Sequence, residues 1–135
     1  MRGIQVNLIN SGDGTIDDNG TVIFDTVVNN QSTSVSYNST TGEFTINQVG
    51  NYYVSWWVAV NGAASATTIS FGVSLDSSAP IIASSAIVSD QLSGIALVSV
   101  TTAPSTLILV NLSGDTAFIG NTTVQGSLII LELSE

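Results

Sequence analysis

The segment 44–60, FTINQVGNYYVSWWVAV, limits the fold of this chain more than any other segment does. After its glycine turn at Gly50, every second residue is apolar: Tyr52, Val54, Trp56, Val58 and Val60. A repeat of two residues is the period of a β-strand and not of a helix. One face of this strand is therefore predicted to lie in a core.

The opposite face of the same strand carries Tyr53, Trp57 and Ala59. A half-buried strand normally shows polar residues on its second face, so both faces are expected to be covered. Two interpretations stay open. The strand lies at the centre of a two-layer sandwich with a few aromatic residues near the surface, or its second face contacts another copy of the protein. Tyrosine and tryptophan are common at interfaces because each has an apolar body and a polar tip.

Short apolar runs and turns rich in Gly, Asn, Asp and Ser fill the rest of the chain. The predicted strands lie at 4–8, 21–29, 69–75, 94–100, 106–112 and 126–133, besides those of the segment 44–60. No window has the period of an amphipathic helix, and no segment repeats at a fixed interval. The pattern predicts one all-β domain of about ten strands, an antiparallel sandwich or jelly roll.

The predicted domain spans residues 4–135, and residues 1–3 are interpreted as a cloning remnant. Its core is expected to contain large apolar side chains from four of the strands. These are Phe24, Phe44, Tyr52, Val54, Trp56 and Phe71.

The charge balance excludes several classes of partner. One basic residue, Arg2, stands against ten acidic residues, and the formal net charge is −9. Nucleic acid and anionic membrane surfaces would repel such a chain. No apolar run approaches the roughly 18 residues of a membrane span, so membrane insertion is not expected either.

The sequence offers little material for catalysis. It contains no Cys and no His, so thiolate chemistry and the usual imidazole base are missing. Pairs of carboxylates remain formally available, but most acidic residues fall in predicted loops, where solubility is the simpler role. Neither catalytic residues nor a cofactor are expected. The five Asn-x-Ser/Thr sequons, at residues 19, 30, 38, 111 and 121, are interpreted as a consequence of composition.

The loop 10–20 concentrates Asp13, Asp17 and Asp18, which raises the alternative of a calcium site. Calcium loops place oxygen ligands at fixed offsets around a glycine, and this spacing fits neither the EF-hand nor a glycine-rich nonapeptide repeat. A solvated acidic loop without metal is the preferred interpretation.

Eight residues of the first half follow a known order: Phe24, Asn30, Tyr37, Phe44, Gly50, Tyr52, Val54 and Trp56. This order resembles the signature of the globular heads of the C1q family, which share the jelly roll of the tumour necrosis factor (TNF) family. The interval from Asn30 to Tyr37 is two residues longer than in the signature, and Val54 replaces an aromatic residue. Downstream, 93–98 resembles the Ser-Gly strand of the family and 126–130 its closing strand.

The closing strand is aliphatic here, whereas the eukaryotic version is rich in Phe. With the low charge, this makes the chain look similar to the C-terminal domains of bacterial collagen-like surface proteins, such as exosporium glycoproteins of Bacillus and Clostridium spores. The resemblance implies a non-enzymatic domain that trimerises, nucleates a collagen-like stalk and forms a protease-resistant outer layer on a bacterial spore or cell. The alternative is a carbohydrate- or receptor-binding head that uses tip loops such as 10–20 and 113–121.

The resemblance also implies which residues would meet in the homotrimer. The strand that follows Gly50 belongs to the inner sheet, beside the closing strand. Its second face would then contact the neighbouring subunit, although alternation alone does not say which face is which. The expected interface residues are Tyr53, Trp57, Ala59, Ile129 and Leu131.

Overall fold

The computed structural model describes residues 2–10, 14–86 and 89–133. Every regular element in these ranges is a β-strand. The twelve strands are β1 (Gly3–Leu8), β2 (Thr15–Ile16), β3 (Thr26–Asn30), β4 (Val35–Asn38), β5 (Glu43–Ile46), β6 (Gly50–Ala63), β7 (Ile69–Leu75), β8 (Ile81–Ser85), β9 (Ser89–Val100), β10 (Ser105–Asn111), β11 (Ala117–Ile119) and β12 (Gly126–Leu133). The all-β class is confirmed, and the strand count exceeds the expected ten because β2 and β11 are very short.

The strands form two antiparallel sheets that pack as a sandwich. The five-stranded sheet has the order β4-β5-β10-β7-β8. The seven-stranded sheet has the order β2-β11-β6-β12-β1-β3, with β9 on the other side of β6. Strand β6 is therefore central: residues 51–58 pair with β12, and residues 50–61 pair with β9. The length of β6 and its apolar residues on both faces are typical of a central strand.

The core lies between the two sheets and uses the inward residues of each. All six side chains predicted for it are buried there: Phe24, Phe44, Tyr52, Val54, Trp56 and Phe71. The rings of Trp56 and Phe71 join the sheets, with centroids 6.4 Å apart. Gly94 lies beside Trp56 on β9, where a Cβ would stand 2.5 Å from an indole carbon. The glycine therefore leaves room for the indole next to β9.

The prediction of one strand over 21–29 is wrong for its first half. Only β3, from Thr26 onward, joins the seven-stranded sheet, by pairing with β1. Thr21 forms an isolated bridge with Val110 of the five-stranded sheet, and the Val22 N–H donates to the Leu109 carbonyl. The segment thus crosses from one sheet to the other. It keeps the alternation of a strand because Val22 and Phe24 still point into the core.

At the N-terminus, the described chain is part of the sheet from its start. Strand β1 begins at Gly3, which pairs with Leu131, and the Arg2 carbonyl accepts a hydrogen bond from the Glu132 N–H. Met1 lies outside the described residues.

Candidate subunit interface

The outer face of the seven-stranded sheet carries an unusual set of apolar side chains. On β6 the even-numbered residues from 52 to 60 are buried, and the odd-numbered residues 53 to 59 are only half-buried. The register places outward residues of β9 on one side of them and outward residues of β12 on the other. We call this surface the apolar face, formed by Tyr53, Trp57, Ala59, Ile95, Leu97, Ile129 and Leu131.

The register arranges the apolar face in rows across the strands. Tyr53 lies between Leu97 of β9 and Leu131 of β12. In the next row, Ser55 lies between Ile95 and Ile129. Large side chains on neighbouring strands of one face stand close enough to contact each other. The apolar face is therefore continuous and not a scatter of single exposed residues.

All five residues predicted for the interface lie on the apolar face. Tyr53, Trp57 and Ala59 come from β6, and Ile129 and Leu131 come from β12. Each of them is half-buried in the single chain. The structure thus brings the predicted residues together on one outward surface.

Sequence reasoning missed two members of the apolar face. Ile95 is 65% exposed and Leu97 is 70% exposed, the highest values among large apolar side chains in the described residues. The signal was present, because 94–98 is apolar on both faces in the same way as β6: Ala96 and Val98 are buried on the inner face. What the sequence did not show is that β9 lies directly beside β6.

The apolar face is also free of acidic charge. In the described parts of β9, β6, β12 and β1, no outward position of the sheet holds Asp or Glu. The chain nevertheless carries a net charge of −9. Two copies of such a chain repel each other, and an uncharged apolar surface is where they approach at the smallest electrostatic cost.

Two acidic side chains hold loops together. The Asp115 carboxylate accepts backbone N–H groups of Ser65, Ala66 and Thr116, and these bonds lower its pKa. Asp76 accepts the Thr106 N–H at 2.7 Å, which is the main reason why its pKa is lowered. Hydrogen bonds to the charged form of a carboxylate favour that form. These interactions give both carboxylates a structural role.

The predicted acidic loop shows a similar pattern. Asp13 lies outside the described residues, and the Asp18 carboxylate accepts the Gly114 N–H at 3.1 Å. Across the described ranges, no group of three or more His, Cys, Asp or Glu residues is placed to hold a metal ion. Nor does this part of the chain contain a helix long and apolar enough to cross a membrane.

Asn111 belongs to one of the sequons attributed to composition, and it has a structural role. It is fully buried, and its Nδ2 donates to the carbonyls of Ile16, Asp17 and Asp115. Its Oδ1 accepts the Ser113 N–H at 3.0 Å. The amide therefore ties the end of β10 to two loops. A buried amide with this set of partners is closed to glycosylation in the folded chain.

The comparisons with known proteins agree with this architecture. The family model of the C1q domain matches residues 9–125. The chain belongs to the C1q family. No curated protein matches the sequence.

Solved structures show the same fold at low sequence identity. The globular domain of zebrafish complement 1qA protein has a TM-score of 0.68 and 16% identity, covering 96% of this chain and 92% of that one. Murine APRIL at pH 8.5 has a TM-score of 0.73 and 10% identity, covering 98% of each chain. Eiger TNF from S. frugiperda has a TM-score of 0.65 and 14% identity, covering 100% of this chain and 95% of that one.

These findings confirm the C1q/TNF-like jelly roll. C1q/TNF-like domains are generally binding or structural domains and not enzymes. The feature that distinguishes this C1q domain as a candidate for such a role is the apolar face.

Proposed function

We propose that this C1q domain is a non-enzymatic assembly module that forms a homotrimer through its apolar face. One observation supports the proposal most directly: the apolar face combines large exposed apolar side chains with outward positions that hold no Asp or Glu in the described strands. Soluble monomers rarely expose a large continuous apolar patch. Such a patch usually marks an interaction site. Membership of the C1q family supports three copies, since the family resemblance implies packing around a threefold axis.

The proposed trimer would serve as the head of a collagen-like surface protein on a bacterial spore or cell. A threefold arrangement brings three N-termini to one end, which is what a triple helix requires. The aliphatic closing strand β12, the low charge and the surface rich in Ser, Thr and Asn make the chain resemble exosporium glycoproteins, and this resemblance supports the proposed setting. The collagen-like stalk and the extracellular location are parts of the proposal.

Protease resistance is a further part of the proposed role. The chain has a single basic residue, Arg2, so residues 3–135 contain no Lys or Arg. Proteases with trypsin-like specificity cleave after these two residues and find no site within the domain. The many Ser, Thr and Asn side chains keep the remaining surface hydrated without basic charge.

Sedimentation equilibrium at micromolar concentration tests the proposal. We expect a mass of three chains, each of 13.9 kDa. A monomer at the highest attainable concentration would refute the assembly module. A glycan array with the same particle tests the alternative of a carbohydrate- or receptor-binding head, because saturable binding of one glycan would favour that alternative.

A further inference from the structure

The outer face of the five-stranded sheet carries a second, smaller apolar surface. Two of its members are exposed: Ile82 on β8 to 54%, and Ile23 in the segment that crosses between the sheets to 42%. The residues that alternate with its members in the crossing segment and in β10 are buried in the core, so the members point outward. We call this surface the outer strip, formed by Ile23, Ile82, Ile108, Val110 and Leu112.

The strand register joins these side chains across the sheet. Ile82 of β8 lies beside Gly72 of β7, which lies beside Val110 of β10. On the other side of β10, the antiparallel pairing of the crossing segment places Ile23 beside Ile108. The outer strip thus runs across the sheet over three strand spacings, or about 14 Å.

Gly72 makes the outer strip continuous. A Cβ at Gly72 would stand 3.2 Å from Cδ1 of Leu112, so the missing side chain lets Leu112 lie close to β7. Gly72 and Val110 are both buried, whereas Ile82 is exposed beside them. The middle of the strip is therefore closely packed.

Two carboxylates flank the Ile108 end of the outer strip. Asp76 is exposed at the end of β7, the strand that pairs with β10 beside Ile108. Glu43 is exposed on β5, directly after a glycine that packs against Ile23. Residues 3–135 contain no Lys or Arg that could offset these charges. The rim of the strip at this end is negative.

We infer that the outer strip is a docking surface for a basic amphipathic helix of another protein. The strip and the apolar face lie on opposite sides of the sandwich, so the proposed trimer leaves the strip uncovered. Charge complementarity identifies the occupant, because aliphatic side chains match the strip and Lys or Arg beside them match the rim at Glu43 and Asp76. A second copy of the chain has the same negative rim and a net charge of −9, and would be repelled.

The shape of the outer strip favours a helix over an extended segment. An extended segment adds to the edge of a sheet, whereas helices cover sheet faces. At 1.5 Å per residue, about nine helical residues span the 14 Å of the strip. Apolar side chains at positions i, i+3, i+4 and i+7 fit within this length. Docking at the strip goes beyond the proposed trimer and does not depend on it.

Fluorescence anisotropy tests this inference with a labelled peptide of Leu and Lys, about 18 residues long, with Leu at the positions i, i+3, i+4 and i+7. We expect saturable binding to the full chain. Ile82→Ser should weaken binding about tenfold or more, because the burial of one isoleucine contributes a free energy of this order. Glu43→Gln should weaken binding less and should make it less sensitive to salt.

Two controls make the result specific. Val49→Ser removes an apolar side chain that is 58% exposed just before β6 of the other sheet, and it should leave the affinity unchanged. A peptide in which Glu replaces every Lys should not bind. Ile82, Glu43 and Val49 are all exposed, and an unfolding temperature close to that of the parent verifies that each variant is folded.

Several outcomes would overturn the inference. A folded parent that does not bind the Lys peptide would do so. Equal affinities of the parent and of Ile82→Ser would mean attraction by net charge alone, and equal binding of the Lys and Glu peptides would exclude selection of a basic partner. Vesicles of phosphatidylcholine that bind the parent but not Ile82→Ser would assign the strip to a lipid surface. Assemblies larger than the parent trimer that Ile82→Ser abolishes would assign it to a second copy.

The same samples separate the docking surface from the proposed function. Ile82→Ser should sediment with the mass of the parent, and a loss of trimers in this variant would place the strip in the subunit contact and overturn the inference. A monomeric parent whose binding of the Lys peptide depends on Ile82 would overturn the proposed trimer and support the docking surface.

Discussion

The outer faces of the two sheets differ in chemistry although both sheets bury their inner faces in the same core. On the five-stranded sheet, the outward side chains include many hydroxyl groups: Ser36, Thr45, Ser70, Ser84 and Thr106. Ser70 and Ser84 form a hydrogen bond of 2.7 Å across β7 and β8. On the seven-stranded sheet, the outward positions of β9, β6 and β12 include the large side chains of the apolar face, with Ser55, Ser93 and Ser127 between them.

This difference shows what alternation within a strand leaves undetermined. The inward residues of both sheets are apolar because each sheet needs the core, whereas the outward residues depend on what lies outside the protomer. Hydroxyl groups can remain in water at no cost. Removing the apolar surface of Tyr53, Trp57 and Leu97 from water is favourable by a free energy of about 25 cal/mol for each Å² that is buried.

The largest expected effect comes from a charge placed on the apolar face. Trp57→Asp would put one unpaired carboxylate per chain into the contact, and an uncompensated buried charge costs about 3 to 5 kcal/mol. We expect the variant to sediment as a folded monomer at concentrations where the parent is a trimer. Ser36→Asp, which adds the same charge to the hydroxyl-rich face, should leave the mass unchanged. Equal masses for the two variants would mean that the two outer faces do not differ in their role in assembly.

A smaller effect on assembly is expected when the indole of Trp57 is removed and no charge is added. Trp57→Ala deletes the largest side chain of the apolar face, and central interface tryptophans contribute about 2 kcal/mol or more to binding. The unfolding temperature should fall and should depend more strongly on protein concentration than in the parent. Differential scanning calorimetry at several concentrations measures this. A variant that remains fully trimeric and as heat-stable as the parent would count strongly against the role of Trp57.

A substitution on the inner face of the seven-stranded sheet distinguishes the packing of the protomer core from the contact between subunits. Gly94→Ala would bring a Cβ to 2.5 Å from the indole of Trp56, and overpacking of this kind costs about 1 to 3 kcal/mol. We expect chemical denaturation to show a less stable protomer, and we expect the tryptophan fluorescence of the folded protein to change. The variant Ser36→Ala is a control, because residue 36 is exposed on the five-stranded sheet, away from the apolar face, and should change stability by less than about 0.5 kcal/mol. Unchanged stability in Gly94→Ala would mean that β9 can move away from Trp56.

The smallest expected effect is a loss of folding stability at acidic pH. The pKa values of Asp76 and Asp115 are lowered in the folded chain, so the stability that these carboxylates give is present above their unfolded pKa, near 4. This stability is lost as the pH falls through the folded pKa. Thermal unfolding between about pH 5 and pH 2 should show the decline, and Asp115→Asn should make it shallower.

The acid titration also bears on the two faces. Because no outward position of the apolar face holds a carboxylate in the described strands, subunits should not separate before the protomer unfolds. Dissociation of folded subunits at low pH would mean that acidic side chains take part in the contact.

Much of the fold and part of the candidate site could be predicted from local pattern. The alternation of 52–60 identified β6 and its two apolar faces, and the limits of β7 and β12 agree with the predicted 69–75 and 126–133. Pattern could not show that β9 pairs with β6, because strand pairing is a long-range property. For this reason the pattern does not identify Ile95 and Leu97 as members of the apolar face, and it predicts one strand over 21–29. The role of Asn111 depends on carbonyl groups of Ile16 and Asp17, which are far away in sequence.

Hydroxyl-radical footprinting of the native particle and of the Trp57→Asp variant tests most directly whether the apolar face is where subunits meet. Leu97 and Ile95 are 70% and 65% exposed in the single chain, and Ile82 on the five-stranded sheet is 54% exposed. We predict that Leu97 and Ile95 are oxidised in the variant and protected in the native particle, while Ile82 is oxidised equally in both. Equal oxidation of Leu97 and Ile95 in the two samples would contradict an interface at the apolar face.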